Sequence, residues 1–192
     1  MQIVVKPERI SWEAVRQCLM ESHADNLERG IHMAHPQWPV DRLRDAVGDN
    51  GVMLVALDGD RLVGTAAFSE KTTDRWYVHG RYAYLCFAGI LPEYRGKGLY
   101  QRLLKDREEM VRARHIDTLI FDTHAQNKPV QVQARRNGYC RVCYFRAVTG
   151  DHDSVVLVKW INGKSPSRIY CALRFAASYL KVKTRRIFSR YA

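Results

Sequence analysis

At 192 residues, 46% of them hydrophobic and 27% charged, the chain has an ordinary globular balance and enough length to bury a proper core. No apolar run approaches the roughly 20 residues that span a bilayer, and Met1-Gln2-Ile3-Val4-Val5-Lys6 lacks the layout of a secretory signal. Five scattered cysteines, an odd number, argue against a disulfide framework, so the expected setting is the cytoplasm.

Residues 2–6 alternate as a first strand. Ser11 is a good N-cap for a helix carried by Trp12, Val15 and Leu19 to about Asn26. From Ser22 to Pro39 the pattern breaks, and Gly30, His32, His35, Pro36, Trp38 and Pro39 mark an irregular connection. His32 and His35 lack a carboxylate at helical spacing, which favours a surface loop over a metal site. Residues 41–47 read as a short helix. Residues 52–57 and 62–68 read as a hairpin around Asp58-Gly59-Asp60. A polar, charged stretch, 69–80, precedes the apolar strand 82–90.

That strand feeds Leu91-Pro92-Glu93-Tyr94-Arg95-Gly96-Lys97-Gly98, and an amphipathic helix follows to about Arg114. Its apolar side carries Leu99, Leu103 and Met110, with Arg102, Lys105, Arg107, Glu108 and Glu109 outside. A helix start leaves backbone N–H groups without internal partners at the positive end of the macrodipole. Gly96 and Gly98 permit close backbone approach, and Arg95 and Lys97 add charge, which together read as a pyrophosphate cradle. The Walker loop is excluded because no Gly-Lys-Ser/Thr follows four spacers, and the dinucleotide fingerprint lacks its third glycine.

Beyond that helix, residues 118–124 form an apolar strand interrupted by Asp122, a carboxylate that must be paired or open to a pocket. A helix over 127–137 ends at Gly138, and strands follow at 141–148 and 154–160. Cys140-Arg141-Val142-Cys143 has zinc-knuckle spacing but no second Cys or His pair, so no metal site is expected.

The net charge of +11 belongs mainly to the end of the chain: eight of the 31 basic residues and no acid fall after Trp160. In residues 167–192, Tyr170, Leu173, Ala177, Leu180, Thr184, Ile187, Phe188 and Tyr191 recur at three- and four-residue steps. Arg168, Arg174, Lys181 and Arg185 lie elsewhere on the wheel. The pattern predicts a basic amphipathic helix with three open destinations: an anionic membrane surface, RNA, or docking onto the domain or a second subunit as a homodimer.

The turn resembles the signature of the GNAT superfamily of acyl-CoA-dependent N-acyltransferases, Arg/Gln-x-x-Gly-x-Gly/Ala, in Arg95-Gly96-Lys97-Gly98-Leu99-Tyr100 with Leu103-Leu104 behind it. Tyr100 departs from the small residue of the pattern. Downstream, Asn127, Val130 and Gly138-Tyr139 fit, while Ala134 stands where a thiolate-protonating tyrosine often occurs.

The resemblance covers roughly 3–160 and implies an α/β fold with a mixed central sheet of about seven strands and helices on both faces. It implies a 1–160 acyltransferase domain and a 161–192 tail. The implied donor is acetyl-CoA, held by Ala88, Gly89 and Ile90, by residues 95–100 including Leu99, and by Asn127. The backbone N–H of Gly89 or Ile90 is the implied oxyanion donor.

Asp122 is the implied base, with His124, two residues on along the same strand face, in reserve. By resemblance the irregular link, with His32, His35 and Trp38, covers the acceptor; Glu70 and His79 flank the strands bordering that pocket. A tail behind Trp160-Ile161-Asn162-Gly163 is similar to those of acetyltransferases in surface-polysaccharide pathways.

Three functional readings follow. The favoured one is transfer of an acetyl group to a primary amine of an amino sugar or amino acid. The others are a protein delivered by its tail to a tRNA- or membrane-associated acceptor, peripheral at the inner membrane face in the latter case, and a catalytically idle CoA-binding module.

Overall fold

The computed structural model describes residues 1–31, 37–147, 152–161 and 165–188, the last four as backbone only. The chain forms two compact units, residues 1–72 with 81–116 and residues 73–80 with 117–192.

The first unit holds β1 (Gln2–Val5), α1 (Trp12–Glu28), α2 (Val40–Val47), β2 (Val52–Asp58), most of β3 (Arg61–Arg75), most of β4 (Val78–Ile90) and α3 (Leu99–Ala113). Its strands run in the order β1-β2-β3-β4, with β1–β2 and β2–β3 antiparallel. β2 is a continuous apolar run because both of its faces are covered. Met53, Val55 and Leu57 join Val15 and Leu19 of α1 and Leu43 and Val47 of α2 in one core cluster. Leu54 and Ala56, on the other face, pack with Leu99 and Leu103 of α3. Burial of each such side chain contributes about 1.5–3 kcal/mol.

Three expectations about this unit change. α1 extends to Glu28, and the apparent break at Ser22 is burial of polar residues: Ser22 and His23 face β4. A Cβ on Gly89 would lie 2.1 Å from Ser22 Oγ, so only glycine lets α1 approach the strand. Arg107, expected outside, is buried and its Nη1 donates to the Ala67 carbonyl at 3.3 Å. The polar stretch 69–80 is mostly strand, because β3 continues to Arg75 and β4 begins at Val78. Much of that ribbon is exposed, so no apolar face marks it in the sequence.

The second unit holds the tip of the β3–β4 hairpin, β5 (Thr118–His124), α4 (Lys128–Arg136), β6 (Cys140–Arg146), β7 (Asp153–Trp160) and α5 (Arg168–Phe188). Its strands run β5-β7-β6, all antiparallel, so that Asp122 lies opposite Val156 and His124 opposite Ser154. Trp160 Nε1 donates to the Tyr77 carbonyl at 3.0 Å, which ties the hairpin tip to β7.

The basic tail is α5, and it docks on β6. Cys171 is buried, Ser178 Oγ accepts from the Tyr144 N–H at 2.9 Å, and Phe175 and Tyr179 meet the Tyr144 ring edge-on. Asp153 anchors the arrangement, accepting from Tyr144 Oη at 2.7 Å, Lys183 Nζ at 3.1 Å and Arg146 Nη1 at 3.3 Å.

Two buried groups give the stability a pH dependence. Burial pushes His23 down to about 4, against the Ala88 backbone beside it, while Asn26 Nδ2 lies 3.2 Å from His23 Nδ1. The unfolded chain takes up this proton near 6.5 and the folded one only near 4, so stability falls as the pH drops between them, by roughly 3 kcal/mol. Burial alone would raise Asp153, yet the hydrogen bonds from Tyr144, Lys183 and Arg146 outweigh it and bring the carboxyl to about 2. That contribution, roughly 2 kcal/mol, is present above the ordinary 3.8 and is lost as the pH falls to about 2. Denaturant unfolding at about pH 7, 5 and 3 should show both losses. His23→Gln should remove the upper one and Asp153→Asn the lower; an unchanged acid profile in either variant would reject that assignment.

Candidate active site

β4 leads into the glycine turn through two irregularities. Phe87, at φ 53°, is left-handed in the middle of a strand, a conformation that costs an ordinary side chain about 1–2 kcal/mol. Thr65 Oγ1 donates to the Phe87 carbonyl at 2.8 Å, and the buried Phe87 ring meets Trp38 edge-on. The strand is therefore redirected just before Ala88, Gly89 and Ile90. After it, Pro92–Tyr94 form a single 3-10 turn, and Gly96 and Gly98 each adopt φ 75°. Gly98 caps α3 with no side-chain hydrogen bond, and the first turn of the helix contains no acid. A Cβ on Gly96 or Gly98 would meet nothing within 4 Å. The backbone N–H groups of Leu99, Tyr100 and Gln101 thus head a helix whose first turn carries no acid of its own. A diphosphate fits that charge and that opening.

Arg95, expected as a phosphate ligand, engages the protein itself in this structure. Its Nε donates to the Ile90 carbonyl at 3.2 Å, Nη2 to the Ser22 carbonyl at 2.7 Å, and Nη1 to Asp25 Oδ2 at 2.7 Å. Hydrogen bonding to this guanidinium is the main cause of the lowered Asp25 carboxyl. Arg95 thus clasps strand end, turn and α1. Lys97 Nζ lies 5.0 Å from the centre of the Tyr94 ring, whose hydroxyl donates to Asp58 Oδ2 at 3.0 Å. Leu99 is buried in the core, and the partly buried Tyr100 packs against the same cluster.

The proposed acceptor residues fare unevenly. His32 and His35 lie outside the described residues. Trp38 packs on the core with Arg42 stacked 4.1 Å from its ring centre, which makes it a brace for Phe87. Glu70 accepts from Arg81 Nε at 2.5 Å, a bond that lowers its carboxyl, and so is committed to an ion pair. His79 pairs with Asp74 at the exposed hairpin tip.

In the second unit, Asp122 is exposed on β5, while His124, on the same strand face, is buried and stacks on His152 with ring centres 4.8 Å apart. The Gln126 N–H donates to His124 Nδ1 at 3.1 Å. An N–H can donate only to a bare ring nitrogen, which puts the proton of the neutral ring on Nε2. Asn127 is buried at the start of α4, with Nδ2 donating to Thr123 Oγ1 at 3.3 Å. Ala134 is buried and presents no phenol. Among the described residues no group of three or more His, Cys, Asp or Glu is placed to hold a metal ion.

Sequence reasoning missed Ser22, His23, Asp25 and Asn26. Their only signal is four polar residues in five positions on an otherwise amphipathic helix.

Comparison with known proteins bears on this geometry. The family model described as the acetyltransferase (GNAT) family matches residues 12–139. N-alpha-acetyltransferase 30 of Schizosaccharomyces pombe (strain 972 / ATCC 24843) is 26% identical over 87 residues, 45% of this chain and 56% of that protein. The chain therefore matches little more than half of that relative's length. The ribosomal-protein-S18-alanine N-acetyltransferase of Escherichia coli superposes with TM-score 0.65 at 15% identity, over 86% of this chain and 97% of that one. An aminoglycoside 6'-N-acetyltransferase complexed with coenzyme A gives TM-score 0.62 at 13% identity, over 86% and 100%. These two share the α/β fold at identities too low to carry more. The family model spans well over half the sequence, from the first residue of α1 to Tyr139 behind α4, and the chain accordingly belongs to the acetyltransferase (GNAT) family, whose members draw on acetyl-CoA.

Proposed function

We propose that the protein transfers the acetyl group of acetyl-CoA to the primary amine of a small acceptor, an amino acid or an amino sugar. The observation that carries this reading is the start of α3: two left-handed glycines, no acid in the first turn, and no side chain capping the helix. Bound acetyl-CoA supplies an activated thioester. The N–H groups at the head of α3 would bind its diphosphate, with Lys97 adding charge from the rim. Residues 88–90 would align the pantetheine arm, and the N–H of Gly89 or Ile90 would stabilise the carbonyl oxygen as it takes up charge.

The acceptor must attack as a neutral amine. Asp122, the exposed carboxylate on β5, is assigned the removal of its proton, directly or through water. The new C–N bond forms as the C–S bond breaks, and the thiolate then takes a proton from solvent, since position 134 offers no phenol. For the acceptor, the α-amine side is supported by a curated relative named for N-alpha-acetylation, and the amino-sugar side by a fold neighbour named for aminoglycosides. The idle CoA-binding module is the second reading, favoured by the buried alanine at 134.

Release of free thiol from acetyl-CoA with a panel of amino acids, peptide N-termini and amino sugars tests the proposal. Tight CoA binding without turnover on any amine would leave the idle module. Asp122→Asn should lower kcat by about a hundredfold and leave acetyl-CoA affinity unchanged; full activity would remove Asp122 as the base. Gly98→Ala should strain the left-handed cap by about 1 kcal/mol and weaken acetyl-CoA binding, read by calorimetric titration. Because Arg95 acts through its clasp, Asp25→Asn should weaken acetyl-CoA binding in the same direction as Arg95→Ala. If Arg95 instead contacts phosphate, releasing it from Asp25 would leave binding unchanged or tighten it.

A further inference from the structure

One face of α5 is accounted for by β6; the opposite face is not. Ile169, Leu173 and Leu180 are 75%, 64% and 60% exposed, and with the small Ala176 they make a single apolar stripe down the outside of the helix. Large aliphatic side chains at i, i+4 and i+11, with an alanine at i+7, on the solvent side of an already docked helix have no role in that docking.

The charges that α5 carries beside the stripe are basic. No acid occurs after Asp153, and the helix carries Arg168, Arg174, Lys181 and Lys183 beside its apolar residues. Along one flank, α4, β6 and α5 enclose an open groove of about 550 Å³. Its rim is Arg135, Arg136, Arg141 and Arg168, its walls include Tyr139 and Phe175, and no carboxylate lines it among the described residues. Arg141 is held over the Phe175 ring at 4.9 Å, which fixes one guanidinium at the groove in place. α5 is not long and apolar enough to cross a membrane.

We infer that the outer face of α5 lies on an anionic phospholipid surface, with Ile169, Leu173 and Leu180 entering the headgroup–acyl boundary and the arginine groove receiving a lipid phosphate. Charge complementarity selects this occupant. A protein partner for an apolar stripe does not require a border whose charges are all cationic, and RNA makes no use of exposed leucine and isoleucine, whereas an anionic leaflet satisfies both features at once. Arginine suits the groove because its planar fork binds phosphate oxygens in pairs.

The inference does not depend on the acceptor or on catalysis, and flotation of the full chain with lipid vesicles tests it. The protein should float with vesicles of phosphatidylcholine and phosphatidylglycerol, remain behind with phosphatidylcholine alone, and be released by high salt. Leu173→Glu combined with Leu180→Glu should reduce flotation by about tenfold or more, and Arg135→Ser combined with Arg136→Ser should weaken it while the far-ultraviolet circular dichroism of both variants stays unchanged. The wild-type comparison of neutral with anionic vesicles keeps the test decisive if a variant fails to fold. Equal flotation with both vesicle types, or none with either, would overturn the inference. So would a tRNA complex lost in the arginine variant in the absence of anionic-vesicle binding, and so would a dimer split by the leucine variant with no vesicle binding; the first outcome would assign the face to RNA, the second to another copy of this chain.

Discussion

The guanidinium of Arg95 is the constraint on which the putting-together of the donor side depends. Three of its nitrogens reach three different places: the carbonyl of Ile90 at the end of β4, the carbonyl of Ser22 and the carboxylate of Asp25. A strand end and a helix separated by about 70 residues in sequence are thereby held to one turn. The glycines at 96 and 98 then have a defined path, because both ends of the turn are fixed before the chain enters α3. A positive charge that the sequence suggests for a ligand fixes backbone geometry here, and the proposed attraction for an anion is assigned to the helix start itself. Preorganised N–H groups serve that purpose without a long side chain having to be ordered on binding.

α1 completes the same design from the other side. Ser22 and His23 are polar yet buried because they sit against β4, where Gly89 leaves them room. Burial holds His23 neutral at physiological pH, so no charge is introduced behind the strand end that would align the donor. The left-handed Phe87, braced by Thr65 and Trp38, adds a local strain at the same point. Strain of this kind persists where neighbouring contacts over-determine it, and it concentrates where a strand must open toward a ligand.

The second unit shows how a basic helix can serve two surfaces. Asp153 collects Tyr144, Arg146 and Lys183, fastening β6 and α5 about one carboxylate, so the inner face of α5 is satisfied by packing and hydrogen bonds. The outer aliphatic stripe is surplus to that task. Amphipathicity here is therefore not a single seam but two, and only the inner one belongs to folding.

The sequence by itself determined the α/β class, the strand–turn–helix at residues 90–104 and the family, because each rests on local rules: periodicity, turn chemistry and the spacing of glycines about a helix start. It also placed a basic amphipathic helix at the end of the chain. The tertiary structure alone decided where Arg95 points, why Ser22 and His23 interrupt an apolar pattern, and that Arg107 is inside. Each of these depends on a carbonyl or carboxylate contributed from 40 to 73 positions away, or on a strand packed across the helix, which no window of sequence contains. The long β3–β4 ribbon was hidden for the converse reason. Its exposed residues are held by strand pairing, and a ladder of backbone hydrogen bonds leaves no mark on side-chain polarity. Whether the helix uses one apolar face or two was likewise a matter of tertiary structure, since a wheel shows which residues share a side and only packing shows which side is covered.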